Sequence, residues 1–183
     1  GNGNHDTIVA MIDTGIDYTH EDLKDTLWVN TDEIPGNGID DDGNGYVDDV
    51  YGWNFYNNNN QSFTGEEDSH GTHGAGTISA GTGNGIGIAG IVPGNRVRVM
   101  ALKALGGTDG GGSTAAVIKA IRYAEDNGAV ICNLSLTSTV DDKALYEAMK
   151  NSSMLFVVAT GNGNPKTGKG VDTDMIPFYP AAY

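Results

Sequence analysis

Asp68-Ser69-His70-Gly71-Thr72-His73-Gly74-Ala75-Gly76-Thr77 places a histidine at the mouth of a helix, among residues too small to hide it. Ile78 and Ala80 begin an apolar helical face behind it. Three glycines in two turns do not favour a helix, since each costs about 1 kcal/mol against alanine. Gly71, Gly74 and Gly76 therefore predict close packing against a neighbour, with the helix N-terminus facing a site. Taken alone, the stretch also suits a glycine-rich helix start with two incidental histidines. Its weight comes from a partner upstream. Thr7 to Ile12 is a short, nearly unbroken apolar run, the pattern of a strand buried in a parallel sheet. It ends on Asp13, where Thr14-Gly15 turn the chain away. A carboxylate at that end of a buried strand stands where open α/β sheets keep their working residues. Without His70 it would equally well be a turn cap.

Downstream, the pattern repeats. Val97 to Leu102 is a second buried strand, and Ser113 is a good N-cap for a helix running to Asn127. Val117, Ala120, Ile121 and Ala124 form that helix's apolar face, and Gly128 supplies its stop. Ala129 to Leu134 is a third strand. Asp141 to Asn151 is a helix with Ala144, Leu145, Ala148 and Met149 inward, and Met154 to Ala159 is a fourth strand running into Gly161-Asn162-Gly163. Strand alternating with helix predicts an α/β fold, a parallel sheet with helices on its faces. Beyond Gly163 only loop residues are apparent.

Composition narrows the function. A chain of 183 residues suits one domain. The 28 glycines fit turns and tight packings better than a helical bundle. The formal net charge is -14, and no Lys or Arg stands between Lys24 and Arg96. That balance argues against nucleic acid and anionic membranes as partners, and for cations. Cys132 is single and lies in an apolar run, so no internal disulfide forms and a buried, inert thiol is expected. No apolar stretch approaches the roughly 20 residues that span a bilayer. No signal-peptide pattern opens these residues, as in a mature form or one whose start has been removed.

From about 32 to 61 the sequence turns acidic and Asn-rich, the pattern of an insertion. Within it, Asp40-Asp41-Asp42-Gly43-Asn44-Gly45-Tyr46-Val47-Asp48 reproduces the front of an EF-hand-type calcium loop. Asp40, Asp42, Asn44 and Asp48 are its candidate oxygen ligands, with the Tyr46 carbonyl at the seventh position. The twelfth position is Tyr51 and not Glu, so a full EF-hand is not supported; Asp49 is the candidate substitute. A solvated acidic loop is the alternative, but so many unpaired carboxylates would repel each other. The glycine-rich run Gly81 to Gly90 superficially suggests a phosphate cradle. No strand leads into it and no P-loop lysine follows, so a nucleotide-binding domain is rejected.

Three segments resemble the subtilisin-like serine protease family: Ile12-Asp13-Thr14-Gly15, His70-Gly71-Thr72-His73-Gly74-Ala75-Gly76-Thr77 and Ala159-Thr160-Gly161-Asn162. Each is weak alone, but their order, Asp before His, is that of the subtilisin triad. The resemblance implies a three-layer α/β/α sandwich with a mostly parallel central sheet. It implies that Asp13 orients His70, that His70 is general base and then general acid, and that the Asn162 amide donates to the tetrahedral oxyanion. His73 would be only a helix neighbour. Peptide or protein substrates would lie extended between Gly110-Gly111-Gly112 and Ser135-Leu136-Thr137, held by backbone edges that bind sequence-tolerantly. Thr137 replaces the family's usual glycine and would narrow the main specificity pocket. Asp22, Asn84 and the carbonyls of Ile86 and Ile88 match a structural Ca2+ site of many relatives. The protein would be secreted or cell-surface, of bacterial type without disulfides.

One part of the pattern is missing. The family's nucleophile stands in a Gly-Thr-Ser-x-Ala helix start downstream of the oxyanion asparagine, and none occurs before Tyr183. Ser69, Ser79, Ser113, Ser135, Ser152 and Ser153 stand in other contexts. Residues 1–183 are therefore expected to form a single partial catalytic domain, incomplete at both ends and inactive alone. Its missing C-terminal part would be its first partner, and self-association through an exposed sheet face would follow. The rival from another class is a non-catalytic pseudoprotease, binding calcium or peptide.

Overall fold

The computed structural model describes residues 6–93, 96–164 and 166–183. Its centre is a five-stranded sheet of β1 (Thr7–Asp13), β2 (Gly52–Asn54), β3 (Val97–Lys103), β6 (Ile131–Leu134) and β7 (Leu155–Val158). The spatial order is β2-β3-β1-β6-β7, and every pairing is parallel. A two-stranded antiparallel ribbon, β4 (Leu105–Gly106) with β5 (Gly111–Gly112), stands beyond the end of β3.

Alternation along β1 assigns the two faces. Ala10 and Ile12 join Met100, Leu102, Cys132 and Leu134 beneath α2 (Thr114–Asp126), which packs against α3 (Lys143–Lys150). Met11 joins Val99, Ala101 and Ala75 beneath α1 (Ser69–Ser79) on the other face. The result is the expected α/β/α layering. Caps fall where side-chain chemistry places them. Ser113 accepts a hydrogen bond from Ala116 N, and Asp142 accepts from Ala144 N and Leu145 N. Burial pushes the Cys132 thiol up to about 12, which leaves it unreactive.

Val97–Lys103 and Thr7–Asp13 are buried along most of their length, whereas β7 alternates between half-buried and exposed residues. α1 covers the β1–β3 part of its face and leaves the β6–β7 part open. Strand β2 lies within the stretch read as an insertion, and β4 and β5 lie where no strand was assigned from sequence. They are two or three residues long, and their partners rather than their own patterns define them.

Candidate active site

Because the sheet is parallel, the carboxyl ends of its strands lie along one edge, and the candidate residues gather there. Asp13 closes β1 and is fully buried. Its Oδ1 accepts the Thr14 amide at 2.7 Å and meets His70 Nδ1 at 2.7 Å. Oδ2 has no hydrogen-bond donor among the described residues, so the carboxylate's tie to a side chain is the one to His70. His70 enters from the first turn of α1, and its side chain is 60% exposed. The bond to Asp13 occupies Nδ1 and leaves Nε2 as the nitrogen open to a reactant. A buried carboxylate on one imidazole nitrogen fixes the tautomer and stabilises the imidazolium that forms when the other takes a proton.

Glycines make that approach feasible. A β-carbon at Gly71 would lie 2.1 Å from the Gly15 carbonyl oxygen and 3.3 Å from Asp13 Cβ. The Gly71 amide also donates to Thr14 Oγ1 at 3.1 Å, so the helix start is tied to the turn that carries Asp13. Gly74 faces Met11, whose Cε would stand 2.3 Å from an added β-carbon. Gly76 behaves otherwise: Ile88 Cδ1, at 3.7 Å, is its nearest neighbour. The packing expected of three glycines holds for two.

His70 borders a groove of about 820 Å3. Gly110, Gly111 and Gly112 line one part of it, and Ser135, Leu136 and Thr137 another. All six of these sequence-selected residues thus share one groove with the imidazole. Asn162 is not among the lining residues; it stands exposed in the loop after β7, at the same sheet edge as Asp13. Ser69, Ser113, Ser135 and Ser138 border the groove, but among the described residues His70 bonds to no hydroxyl.

Two further groups of sequence-selected residues are brought together away from the groove. Asp22 is buried, and its carboxylate accepts Asn84 Nδ2 at 2.7 Å and Ile88 N at 3.2 Å. The Asn84 bond is the main cause that holds Asp22 below the usual carboxylate range. A β-carbon at Gly87 would come within 2.4 Å of Asp22 Oδ2, and one at Gly81 within 2.5 Å of Asn84 Nδ2. The loop carrying Ile86 and Ile88 therefore wraps Asp22 more tightly than any larger residue would allow.

In the acidic segment the grouping differs from the loop pattern. Glu33, Asp42 and Asp49 offer carboxylate oxygens within 4.8 Å of one another. Asp48 adopts φ 55 and turns away, accepting the amides of Gly36, Asn37 and Gly38. Asp40 accepts the amides of Asn44 and Gly45, and the Asn44 side chain donates to Asp42 and Asp49. Tyr46 packs edge-on against Trp53, Phe55 and Tyr123. Asp49 is fully buried, held by Asn30 and by the Tyr123 hydroxyl. Burial, then that bond, raises the Tyr123 phenol far above its usual range, so it stays a donor.

Sequence reasoning missed Glu33 because it lies outside the loop pattern. It missed Lys103, and it gave Asp68 no role although that residue heads the histidine stretch; both are fully buried. The signal for Lys103 was nevertheless present: an apolar strand ending on a charged residue, as β1 ends on Asp13.

Fold and site together define an α/β/α scaffold with a hydrogen-bonded Asp–His pair at the carboxyl edge of a parallel sheet. The chain belongs to the subtilase family, whose profile matches residues 4–183. It is 36% identical over 178 residues to the major intracellular serine protease of Bacillus subtilis, covering 96% of this chain and 47% of that one. Against thermitase of Thermoactinomyces vulgaris it is 32% identical over 178 residues, covering 96% and 51%. Subtilisin-like protease 1 of Plasmodium berghei is 37% identical over 161 residues, 85% of this chain and 26% of that one. Among solved structures, a lanthipeptide protease superposes with a TM-score of 0.50 at 27% identity, covering 79% of this chain and 33% of that one. The chain spans between a quarter and about half the length of these curated relatives.

Proposed function

We propose that the whole protein is a serine endopeptidase acting through an acyl-enzyme, and that residues 1–183 carry its Asp and His but not its Ser. The observation that carries this is the 2.7 Å bond from His70 to a fully buried Asp13 at the edge of a peptide-sized groove. In the proposed cycle, His70 Nε2 takes the proton of a serine hydroxyl supplied by sequence following Tyr183. The alkoxide attacks the scissile carbonyl, and Asn162 donates to the oxyanion. His70 then returns the proton to the leaving amine, and water repeats the sequence to free the acid. Asp13 holds the imidazole in orientation and stabilises the imidazolium. Losing an oxyanion donor of this kind costs about 3 kcal/mol of transition-state stabilisation. Backbone edges at Gly110–Gly112 and Ser135–Thr137 hold the peptide extended, and Thr137 limits the side chain accepted beside it.

Calcium, when bound, supplies a structural cross-link. Asp22, Asn84 and the Ile86 and Ile88 carbonyls would hold one ion. In the acidic segment Asp42 would hold a second with Glu33 and Asp49, in place of the set containing Asp40, Asn44, Tyr46 and Asp48 that the sequence pattern alone suggests. A secreted or cell-surface location fits such calcium dependence.

A serine-directed fluorophosphonate probe tests the catalytic part. The 183-residue chain should stay unlabelled, since among the described residues His70 bonds to no hydroxyl that it could activate. A longer protein carrying the following segment should label, and His70→Ala in it should abolish labelling. Specific labelling of the short chain would overturn the placement of the nucleophile. A longer protein that binds peptide in the groove but never labels would favour the non-catalytic alternative.

A further inference from the structure

Lys103 is the last residue of β3 and stands in register with Asp13 across the β1–β3 pairing. Its side chain is fully buried, as is that of Asp68, and the two form an ion pair. The same ammonium donates to the Thr14 carbonyl oxygen at 2.6 Å. Thr14 follows Asp13, and Asp68 stands at the N-cap position of α1, two positions before His70, with its side chain turned to Lys103 and not to the helix amides. One lysine therefore holds both halves of the acid–base pair, Asp13 through the adjacent Thr14 and His70 through Asp68, two residues before it.

Other contacts converge on the same point. The Ala104 amide donates to the Asp13 carbonyl oxygen at 3.0 Å, which fixes the end of β1 to the residue after Lys103. Thr64 donates to Asp68 Oδ2 from its amide and its hydroxyl, so the carboxylate is oriented from the other side. Gly15 has φ +115, and a β-carbon there would lie 2.8 Å from Asp68 Oδ2. Glu67 Oε1 lies 3.6 Å from the ammonium, and the Tyr56 ring centroid 5.8 Å.

Burying two charges is costly, and a well-packed apolar pair is often as stable or more so. What an ion pair adds is direction. We propose that Lys103 and Asp68 are positioning residues that set the Asp13–His70 hydrogen bond by clamping the turn after β1 to the start of α1. The inference rests on Asp13 and His70 being the acid–base pair.

The test is the low-field proton resonance of His70 Nδ1–H in the 183-residue chain, with His20 and His73 as internal references. Its presence in the unaltered chain tests the Asp13–His70 pair itself, and its absence would sink both claims. Lys103→Met should abolish it while the fold remains, as monitored by circular dichroism and the melting transition. A lone buried carboxylate destabilises, so the double variant Lys103→Met/Asp68→Asn, which leaves no unpaired charge, is measured beside it. Loss of the resonance in a folded double variant supports the clamp. A folded variant with the resonance unchanged overturns it. A double variant that cannot fold also overturns it, because the pair would then serve the fold and not the site.

Discussion

At Gly71 an added methyl group would meet the Gly15 backbone carbonyl at 2.1 Å, and no side-chain motion can relieve that clash. Either α1 retreats from the turn carrying Asp13 or the backbone shifts. Gly71→Ala should therefore cost about 1–3 kcal/mol, as overpacking does, and weaken the His70 bond. Gly74→Ala meets only the tip of Met11, which can rotate, and gains roughly 1 kcal/mol of helix propensity in return. Gly76→Ala has ordinary van der Waals room and should stabilise by roughly 0.5–1 kcal/mol. Urea melts of the three variants check the order, Gly71 worst and Gly76 best; equal effects at all three would contradict the packing. The reason Gly71 is glycine was legible in sequence as an expense without local benefit. Which backbone it approaches was not, because Gly15 is 56 residues away and only the tertiary fold brings it near.

Between elements, legibility followed periodicity. Helices α2 and α3 announced themselves through an apolar stripe, and α2 also through its capping Ser113; the Asp142 cap of α3 emerged only in the structure. The ribbon β4–β5 had no such pattern, since a two-residue strand exists only by virtue of its partner. In the acidic segment the linear pattern and the fold group different carboxylates: spacing selects Asp48, whose carboxylate accepts the amides of Gly36–Gly38 at positive φ, while Asp49 faces Asp42 and Glu33. If calcium binds as proposed, it stabilises the folded state by mass action, about 2.7 kcal/mol at a hundred times Kd. Melting temperature should then rise with calcium and fall with a chelator. Asp42→Ala and Asp49→Asn should each remove the acidic segment's share, whereas Asp48→Ala should retain it and cost only local loop order. Asp22→Ala should remove the other share independently. Identical melts in excess calcium and in chelator would reject both sites.

Across the whole molecule, one face of the sheet is covered unevenly. On the α1 side, Val9 and Met11 of β1 are buried, Ile131 of β6 is half-buried, and Leu155 and Val157 of β7 are 64% and 51% exposed. Residues 179–183 do not cover them: Tyr179 pairs with Ser138, and Tyr183 bonds to Asp142 and packs on Tyr146. Burying a Leu or Val side chain contributes about 1.5–3 kcal/mol, so the exposed pair forfeits a sizeable part of the 5–15 kcal/mol that stabilises a domain. A strand edge beside them, with unpaired amides and carbonyls, is also a template for pairing. The isolated 183-residue chain should therefore self-associate or bind a hydrophobic dye at micromolar concentration, and a longer protein that covers this face should do neither. Leu155→Lys with Val157→Lys should lower light scattering and dye binding in the short chain, because two charges replace the apolar side chains and oppose edge pairing. The net charge of -14 works against association at low salt, so scattering should grow as salt screens it. A dye-silent monomer at all salt concentrations would mean that the open face is tolerated, and the proposed cover for β7 would then lose its motive.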